Sequence, residues 1–268
     1  MINIVFCIDT KLGDKIYNCI NSIKAWTKEQ IQIYILTGRN FNSYYLAEYG
    51  QRGFKVITNV DIPEIKDFKR DKVKSKAMFF RWLIADKIPE IDRCIYLEPD
   101  CLLNADIKEL WDIDLGDKMI GLVRSQFGDS IRKTIFYQGH VDETEAFINY
   151  DCDINNTNYN SGQAVIDLKK WRQKEITKKL IDFIIKYKTA DQIALNVVCY
   201  NDIFQLDDTW CAPANCITDN FKAHPPCIHS DYKKCKLYHF HGMHKPWDNC
   251  YSQNKTLKSI WDKYNDSN

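Results

Sequence analysis

No charge of one sign dominates this sequence. Its 268 residues carry 37 Lys and Arg against 36 Asp and Glu, a formal net charge of +1. Such a balance gives no global field to draw in nucleic acid or an anionic membrane surface, and neither is expected as a partner. No apolar run approaches the roughly 20 residues that a membrane-spanning helix needs, so membrane contact is expected to be peripheral at most. No basic segment leading into an apolar stretch opens the chain. The 11 cysteines form no Cys-x-x-Cys pair, and their number is odd. Together these absences predict reduced thiols and a cytoplasmic protein. No internal repeat, low-complexity tract or linker interrupts the chain, which predicts one domain over 1–268. What the sequence does have is aromatic side chains, at 13%. Most will be core, but that content also suits a cleft facing carbohydrate.

The apolar pattern switches repeatedly between two periods. Ile2 to Ile8 is nearly continuous in apolar residues, as in a strand covered on both faces. Ile16, Ile20 and Ile23 then recur at helical spacing. Strands are predicted at Ile31 to Leu36, Phe54 to Val60, Ile95 to Leu97, Met119 to Val123 and Tyr159 to Leu168. Helices are predicted at Phe41 to Tyr49, Ser75 to Lys87, Ile176 to Tyr187 and Asp191 to Tyr200. The early alternation of strand and helix predicts a parallel, helix-covered sheet and an α/β fold. From Ser125 to Asn158 periodicity fades and polar residues dominate. That predicts a long loop, functional or mobile.

The sequence Arg93-Cys-Ile-Tyr-Leu-Glu-Pro-Asp100 ends a buried strand on two carboxylates. Side chains at the carboxyl ends of strands in open α/β sheets project into the ligand crevice. Glu98 and Asp100 are two apart, and a kink at Pro99 would let both face one point. Such a pair repels itself unless a cation lies between. A hard divalent ion that also touches phosphate oxygens is one answer, and a solvated loop pair is the other. Cys211, Cys216, Cys227, His229 and Cys235 raise structural zinc as a rival site. Their irregular spacing lacks the paired short loops of such sites, and reduced thiols are the better reading.

Five separated landmarks then fall into one order. They are Val5-Phe-Cys-Ile-Asp9, Arg81 ahead of Tyr96-Leu-Glu-Pro-Asp100, Tyr159-Asn-Ser-Gly162, Asp191-Gln192 with Ala194-Leu-Asn196, and His239-Phe-His-Gly-Met-His-Lys-Pro-Trp247. In these the chain resembles glycosyltransferase family 8, which holds glycogenin and the bacterial lipopolysaccharide galactosyl- and glucosyltransferases. The resemblance implies a GT-A fold. A Rossmann-like nucleotide-binding half, about 1–124, would merge with an acceptor and donor-sugar half, 125–247, around one mixed sheet, with 248–268 as a tail. It also implies a retaining hexosyltransferase that uses a UDP-sugar, UDP-galactose or UDP-glucose, and a glycan acceptor. Mn²⁺ is the implied cofactor, with Mg²⁺ as an alternative.

Carried over by residue, the resemblance places Glu98, Asp100 and His239 as metal ligands. Cys7 and Asp9 would hold the uracil, and Arg81, Asn160, Ser161, Asp191 and Gln192 would surround the donor sugar. Gly242 and Lys245 would meet the diphosphate. Asp191, Gln192 and Lys245 are then the candidate catalytic residues. The sequence departs from the family where Glu98 replaces Asp, which adds about 1.5 Å of reach, and at Thr10, where Asp usually follows Asp9. Those departures keep a second reading open, a non-catalytic UDP-sugar or glycan-binding protein on the same fold.

Overall fold

The computed structural model describes residues 1–65, 75–125, 130–138, 143–213, 234–241, 245–248 and 255–265. In chain order its elements begin with β1 (Ile2–Ile8), α1 (Ile16–Trp26), β2 (Ile31–Thr37), α2 (Ser43–Gln51) and β3 (Lys55–Ile57). A 3₁₀ segment (Lys76–Leu83) runs into α3 (Ile84–Lys87), then β4 (Arg93–Leu97), β5 (Cys101–Leu103), α4 (Ile107–Trp111) and β6 (Ile120–Leu122). The second half holds α5 (Ile131–Gln138), α6 (Glu143–Tyr150), β7 (Gln163–Asp167), α7 (Leu168–Gln173), α8 (Ile176–Tyr187) and α9 (Asp191–Val198). It ends with β8 (Ile203–Gln205), β9 (Ala212–Pro213), β10 (Leu237–His239) and α10 (Lys255–Asp262).

Among the described residues the strands form two sheets. The larger runs β3-β2-β1-β4-β7-β6-β8 and the smaller β5-β10-β9. β1 to β4 are mutually parallel, as the early strand and helix alternation predicts. β7 runs antiparallel to both β4 and β6, which makes the large sheet mixed. β1 shows why its apolar run is continuous. Ile4, Phe6 and Ile8 pack on one face with α1, while Val5 and Cys7 pack on the other with Phe79, Phe80 and Trp82. Successive strand residues point to opposite faces, so a strand covered on both sides has no position to give to water. Each of these large side chains contributes about 1.5–3 kcal/mol by leaving water.

Three elements depart from the sequence reading. The stretch Ser125 to Asn158 is not loop throughout, because α5 and α6 lie within it. α5 buries Ile131, Thr134 and Ile135, a stripe at i, i+3 and i+4 that is one turn long. So short a stripe, with a Thr in it, is not visible as periodicity among polar neighbours. The predicted helix over Ser75 to Lys87 is 3₁₀ for eight residues before one α turn, unusually long for that geometry. The C-terminal stretch includes α10, which docks on α1. Asn18 Nδ2 donates to Trp261 O at 2.9 Å and to Asn265 Oδ1 at 2.8 Å. Trp261 packs against Phe240 and Trp247 at ring-centroid distances of 5.3 Å each. Among the described residues no helix is long and apolar enough to cross a membrane.

Trp261 is 2% exposed, whereas Ile185 on α8 is 45% exposed. Trp261→Ala is expected to lower the unfolding free energy by about 3–5 kcal/mol in urea titration. Ile185→Ser is expected to change it by less than about 0.5 kcal/mol. Equal effects would show that α10 stands outside the cooperative core.

Candidate active site

The site forms where the chain passes from the large sheet to the small one. β4 ends at Leu97, Glu98 to Asp100 turn, and β5 begins at Cys101. β7 brings Gly162 alongside, with Glu98 N donating to Gly162 O at 2.8 Å. β10 pairs with β5 and sets His239 opposite Cys101, and Phe240 N donates to Asp100 O at 2.9 Å. Residues far apart in sequence meet here because four strands end at one place.

Ion pairs join six of the twelve predicted residues. Arg81, 6% exposed, donates to Glu98 Oε1 at 2.6 Å and lies 3.5 Å from Asp191 Oδ2. It also donates to the carbonyl of Ser161 and, at 2.8 Å, to that of Met78, and it stacks on Tyr96 at 4.7 Å. In 3₁₀ geometry residues three apart eclipse, which returns Arg81 to Met78. His239 Nε2 donates to Glu98 Oε2 at 3.0 Å. Lys245 Nζ pairs with Asp100 Oδ2 and donates to Phe240 O at 3.0 Å. Asp191, in the first turn of α9, has its charge complemented by the helix dipole as well as by Arg81.

The charges shift one another's protonation. Burial alone would raise the carboxyls of Glu98 and Asp100. Arg81 and His239 outweigh it at Glu98, and His239 and Lys245 outweigh it at Asp100, so both lie below the usual carboxylate range. Burial and the nearby Glu98 raise Asp191, with Arg81 opposing. Burial would lower His239, but Asp100 and Glu98 hold it well above its ordinary value. His241, half-buried beside the His239 and Lys245 cations, is lowered to about 4 by desolvation and by His239.

The polar residues of the Tyr159 to Gly162 motif act on backbone. Asn160 Oδ1 accepts from Gly162 N at 2.8 Å, and Gln192 Oε1 accepts from Ser161 N at 3.4 Å. Asn196 clamps both polar atoms of the Tyr159 backbone, at 2.7 and 2.9 Å. Asp9 caps a 3₁₀ turn by accepting from Lys11 N at 3.0 Å. It lies on a cleft of about 370 Å³ at the carboxyl ends of β1 and β2, bordered by Gly38, Asn40, Phe41 and Phe80. Cys7 does not line that cleft. Its thiol is buried in the core and pushed up by burial. Gly242 lies outside the described residues, as do Cys216, Cys227 and His229 of the zinc alternative.

The residues fit a divalent cation. Asp100, Cys101 and His239 each present a ligand atom, and these lie within 4.8 Å of one another. Asp100 Oδ1 is buried without a hydrogen-bond partner, for His239 Nε2 stands 3.5 Å away outside hydrogen-bond geometry. Gly162 keeps the space open. A Cβ there would sit 2.2 Å from His239 Cε1 and 2.9 Å from Glu98 Oε2. Sequence reasoning quoted Gly162 without giving it a task, and it missed Cys101, whose approach to His239 is set by cross-strand register.

Gly162→Ala is expected to lose most Mn²⁺ binding, followed by the paramagnetic signal of free ion, since His239 and Glu98 must move. Unchanged affinity would show that Gly162 has no part in the space. His239 is raised in the folded chain, so its protonation stabilises the fold fully below about pH 6.5. That stabilisation is lost as pH rises through the folded value. Metal-free protein should therefore melt at lower temperature as pH rises above about 6.5, and His239→Gln should flatten the trend. A wild-type melting temperature constant over that range would contradict a protonated His239.

General stress protein A of Bacillus subtilis (strain 168) is 27% identical over 186 residues, covering 65% of this chain and 60% of that protein. Glycosyltransferase GlyB of Streptococcus pneumoniae serotype 4 is 25% identical over 287 residues, covering 98% of this chain and 61% of that protein. The chain thus spans about three fifths of the length of these two relatives. The galactosyltransferase LgtC, solved in complex with donor and acceptor sugar analogues, superposes with a TM-score of 0.73 at 19% identity. That match covers 98% of this chain and 96% of LgtC, and it shows the GT-A fold. The family model of glycosyl transferase family 8 matches residues 2–250, so the chain belongs to that family.

Proposed function

We propose that this protein is a divalent-cation-dependent, retaining hexosyltransferase that moves galactose or glucose from a UDP-sugar to a glycan acceptor. The observation that carries the reading is the buried meeting of Asp100, His239 and Lys245, with one Asp100 oxygen lacking a hydrogen bond. Asp100 and His239 would hold Mn²⁺ or Mg²⁺, with Glu98 completing the set once His239 has lost its Nε2 proton. When bound, the cation supplies positive charge against the charge that grows on the leaving diphosphate. The cytoplasmic setting, and membrane contact that is peripheral at most, belong to the same proposal.

The chain's own residues would divide the remaining work. Asp9 borders the cleft off β1, a fitting place for the uracil, and Cys7 would support that wall from the core. Arg81 fixes Glu98 and Asp191 at the donor sugar. Asn160 holds the Gly162 backbone and Gln192 that of Ser161, and Gln192 offers the sugar an amide that donates and accepts at once. Lys245 meets the diphosphate as a point charge, exchanging Asp100 for phosphate. Gly242, as a neighbour without a side chain, would let the diphosphate approach the backbone.

Retention by double displacement needs a free nucleophile beneath the anomeric carbon. Asp191 is 5% exposed and paired with Arg81, and Gln192 is a neutral amide. Neither suits that task. We therefore assign attack from the face that the leaving group departs. The bond from the anomeric carbon to the phosphate oxygen breaks, passing through a short-lived oxocarbenium ion pair. The acceptor oxygen bonds the same carbon, and its proton passes to the departing diphosphate.

UDP release measured with Mn²⁺ and a panel of UDP-sugars tests the reading. The wild type should hydrolyse one of them slowly without acceptor. Absence of release from UDP-galactose and UDP-glucose alike would favour the non-catalytic binding protein. Asp100→Ala and His239→Ala should each remove most turnover, and because both residues are buried and paired each should also lower the melting temperature. Glu98→Ala should do the same and Glu98→Asp should not, whereas near-normal turnover in Glu98→Ala would remove Glu98 from the ligand set. Lys245→Ala should lower kcat more than donor affinity, because it acts on charge that develops in the transition state. A glycosyl adduct trapped on Asp191 at the rate of turnover would overturn same-face attack.

A further inference from the structure

Beside the two conventional ligands of the candidate metal site stands a thiol that the proposed reaction does not use. Cys101 follows Asp100 directly and lies opposite His239 in the antiparallel pairing of β5 with β10. It is fully buried and unpaired to any other cysteine. Its Sγ donates weakly to the carbonyl of Gly162 at 3.9 Å. The ligand atoms of Asp100, Cys101 and His239 lie within 4.8 Å of one another. On the far side of the imidazole, Nδ1 faces Cys211 Sγ at 3.9 Å.

We propose that Asp100, Cys101 and His239 form a thiolate-containing site that takes thiophilic divalent cations, zinc(II) or cobalt(II), in competition with the hard cation of the proposed reaction. The inference rests on the reading that Asp100 and His239 hold a divalent cation at all. Bond lengths of about 2.0–2.3 Å to nitrogen, oxygen and sulfur put tetrahedral ligand atoms about 3.3–3.6 Å apart. The three atoms here need move inward by no more than about 1.5 Å, which side-chain torsions can supply while β5 and β10 stay paired. Coordination forms a metal–sulfur bond and releases the Cys101 thiol proton to solvent, with no electron transferred. The His239 Nε2 proton is released likewise.

The donor types decide which ion gains. Carboxylate oxygens suit Mn²⁺ and Mg²⁺, while a thiolate adds affinity for zinc and cobalt and little for the hard ions. Three protein ligands in a tetrahedral shell leave one open position. A six-coordinate ion on the same carboxylate and imidazole leaves several, enough for oxygens of both phosphates. The thiophilic ion therefore occupies the place without offering the same hold on a diphosphate. Cys211 can accept from Nδ1–H and so fix the imidazole with Nε2 toward the ion, the orienting task that a carboxylate or carbonyl usually performs.

The test titrates Co²⁺ into the reduced, metal-free full chain and follows absorption. A sulfur-to-cobalt charge-transfer band in the near ultraviolet is expected, saturating with tetrahedral visible bands. Cys101→Ser should lose the near-ultraviolet band yet bind Mn²⁺ with affinity within about threefold of wild type, an electron-spin-resonance readout independent of activity. Cys211→Ser should keep the band. Co²⁺ binding without a sulfur band, or a band that persists in Cys101→Ser, overturns the proposal. If Cys101→Ser fails to fold, zinc-edge X-ray absorption of the wild type decides. A sulfur scatterer at about 2.3 Å is expected, and a shell of nitrogen and oxygen alone overturns it. Wild type that binds Mn²⁺ but shows no sulfur signal fails this inference only. Wild type that binds neither Mn²⁺ nor Co²⁺ fails the cation reading beneath it.

Discussion

Three carboxylates, Glu98, Asp100 and Asp191, share one largely buried place with two permanent cations, Arg81 and Lys245. Burying a carboxylate is costly unless it is paired and hydrogen-bonded. Two cations cannot neutralise three anions, so the balance needs a third positive charge. In the chain alone the imidazolium of His239 supplies it, which is why His239 is held so far above its ordinary value. A divalent ion would supply it in place of that proton. The other features of the site serve this balance: Gly162 leaves room for it, Tyr96 backs Arg81, and the 3₁₀ segment aims Arg81 inward.

The fold delivers these groups by ending strands together. β4 gives Glu98 as it leaves the large sheet, and β5 starts the small sheet one residue after Asp100. β10 is placed by β5, and the loop that bears Lys245 is backed by Trp247 on Trp261 of α10. The C-terminal helix therefore reaches the site through ring packing. Asp191 arrives on α9, and among the described residues Arg81 pairs with both it and Glu98.

Much of this was legible in the sequence, for identifiable reasons. β1 and β2 were visible because strands covered on both faces carry nearly continuous apolar runs, and α8 because Ile176, Leu180, Phe183, Ile184 and Tyr187 keep a strict helical period. The carboxylates after β4 were visible because charge interrupts an apolar run abruptly. α5 and α6 were not, since their stripes are a turn long among polar residues. The 3₁₀ geometry around Arg81 was not, because i and i+3 apolar spacing serves either helix type. Cys101 as a neighbour of His239 depends on the register of β5 with β10, which no local pattern encodes. Gly162 was readable as part of a motif, but its task is to be absent of side chain beside a ring that arrives 77 residues later, a separation seen only in three dimensions.

The central claim is that a cation replaces the His239 proton in this charge balance. Calorimetric titration of Mn²⁺ into metal-free protein, repeated near neutral pH in buffers of different ionisation enthalpy, counts the protons released. The account predicts release of about one proton per ion bound, falling toward zero in His239→Gln. Binding of Mn²⁺ to the wild type with no proton released would contradict it.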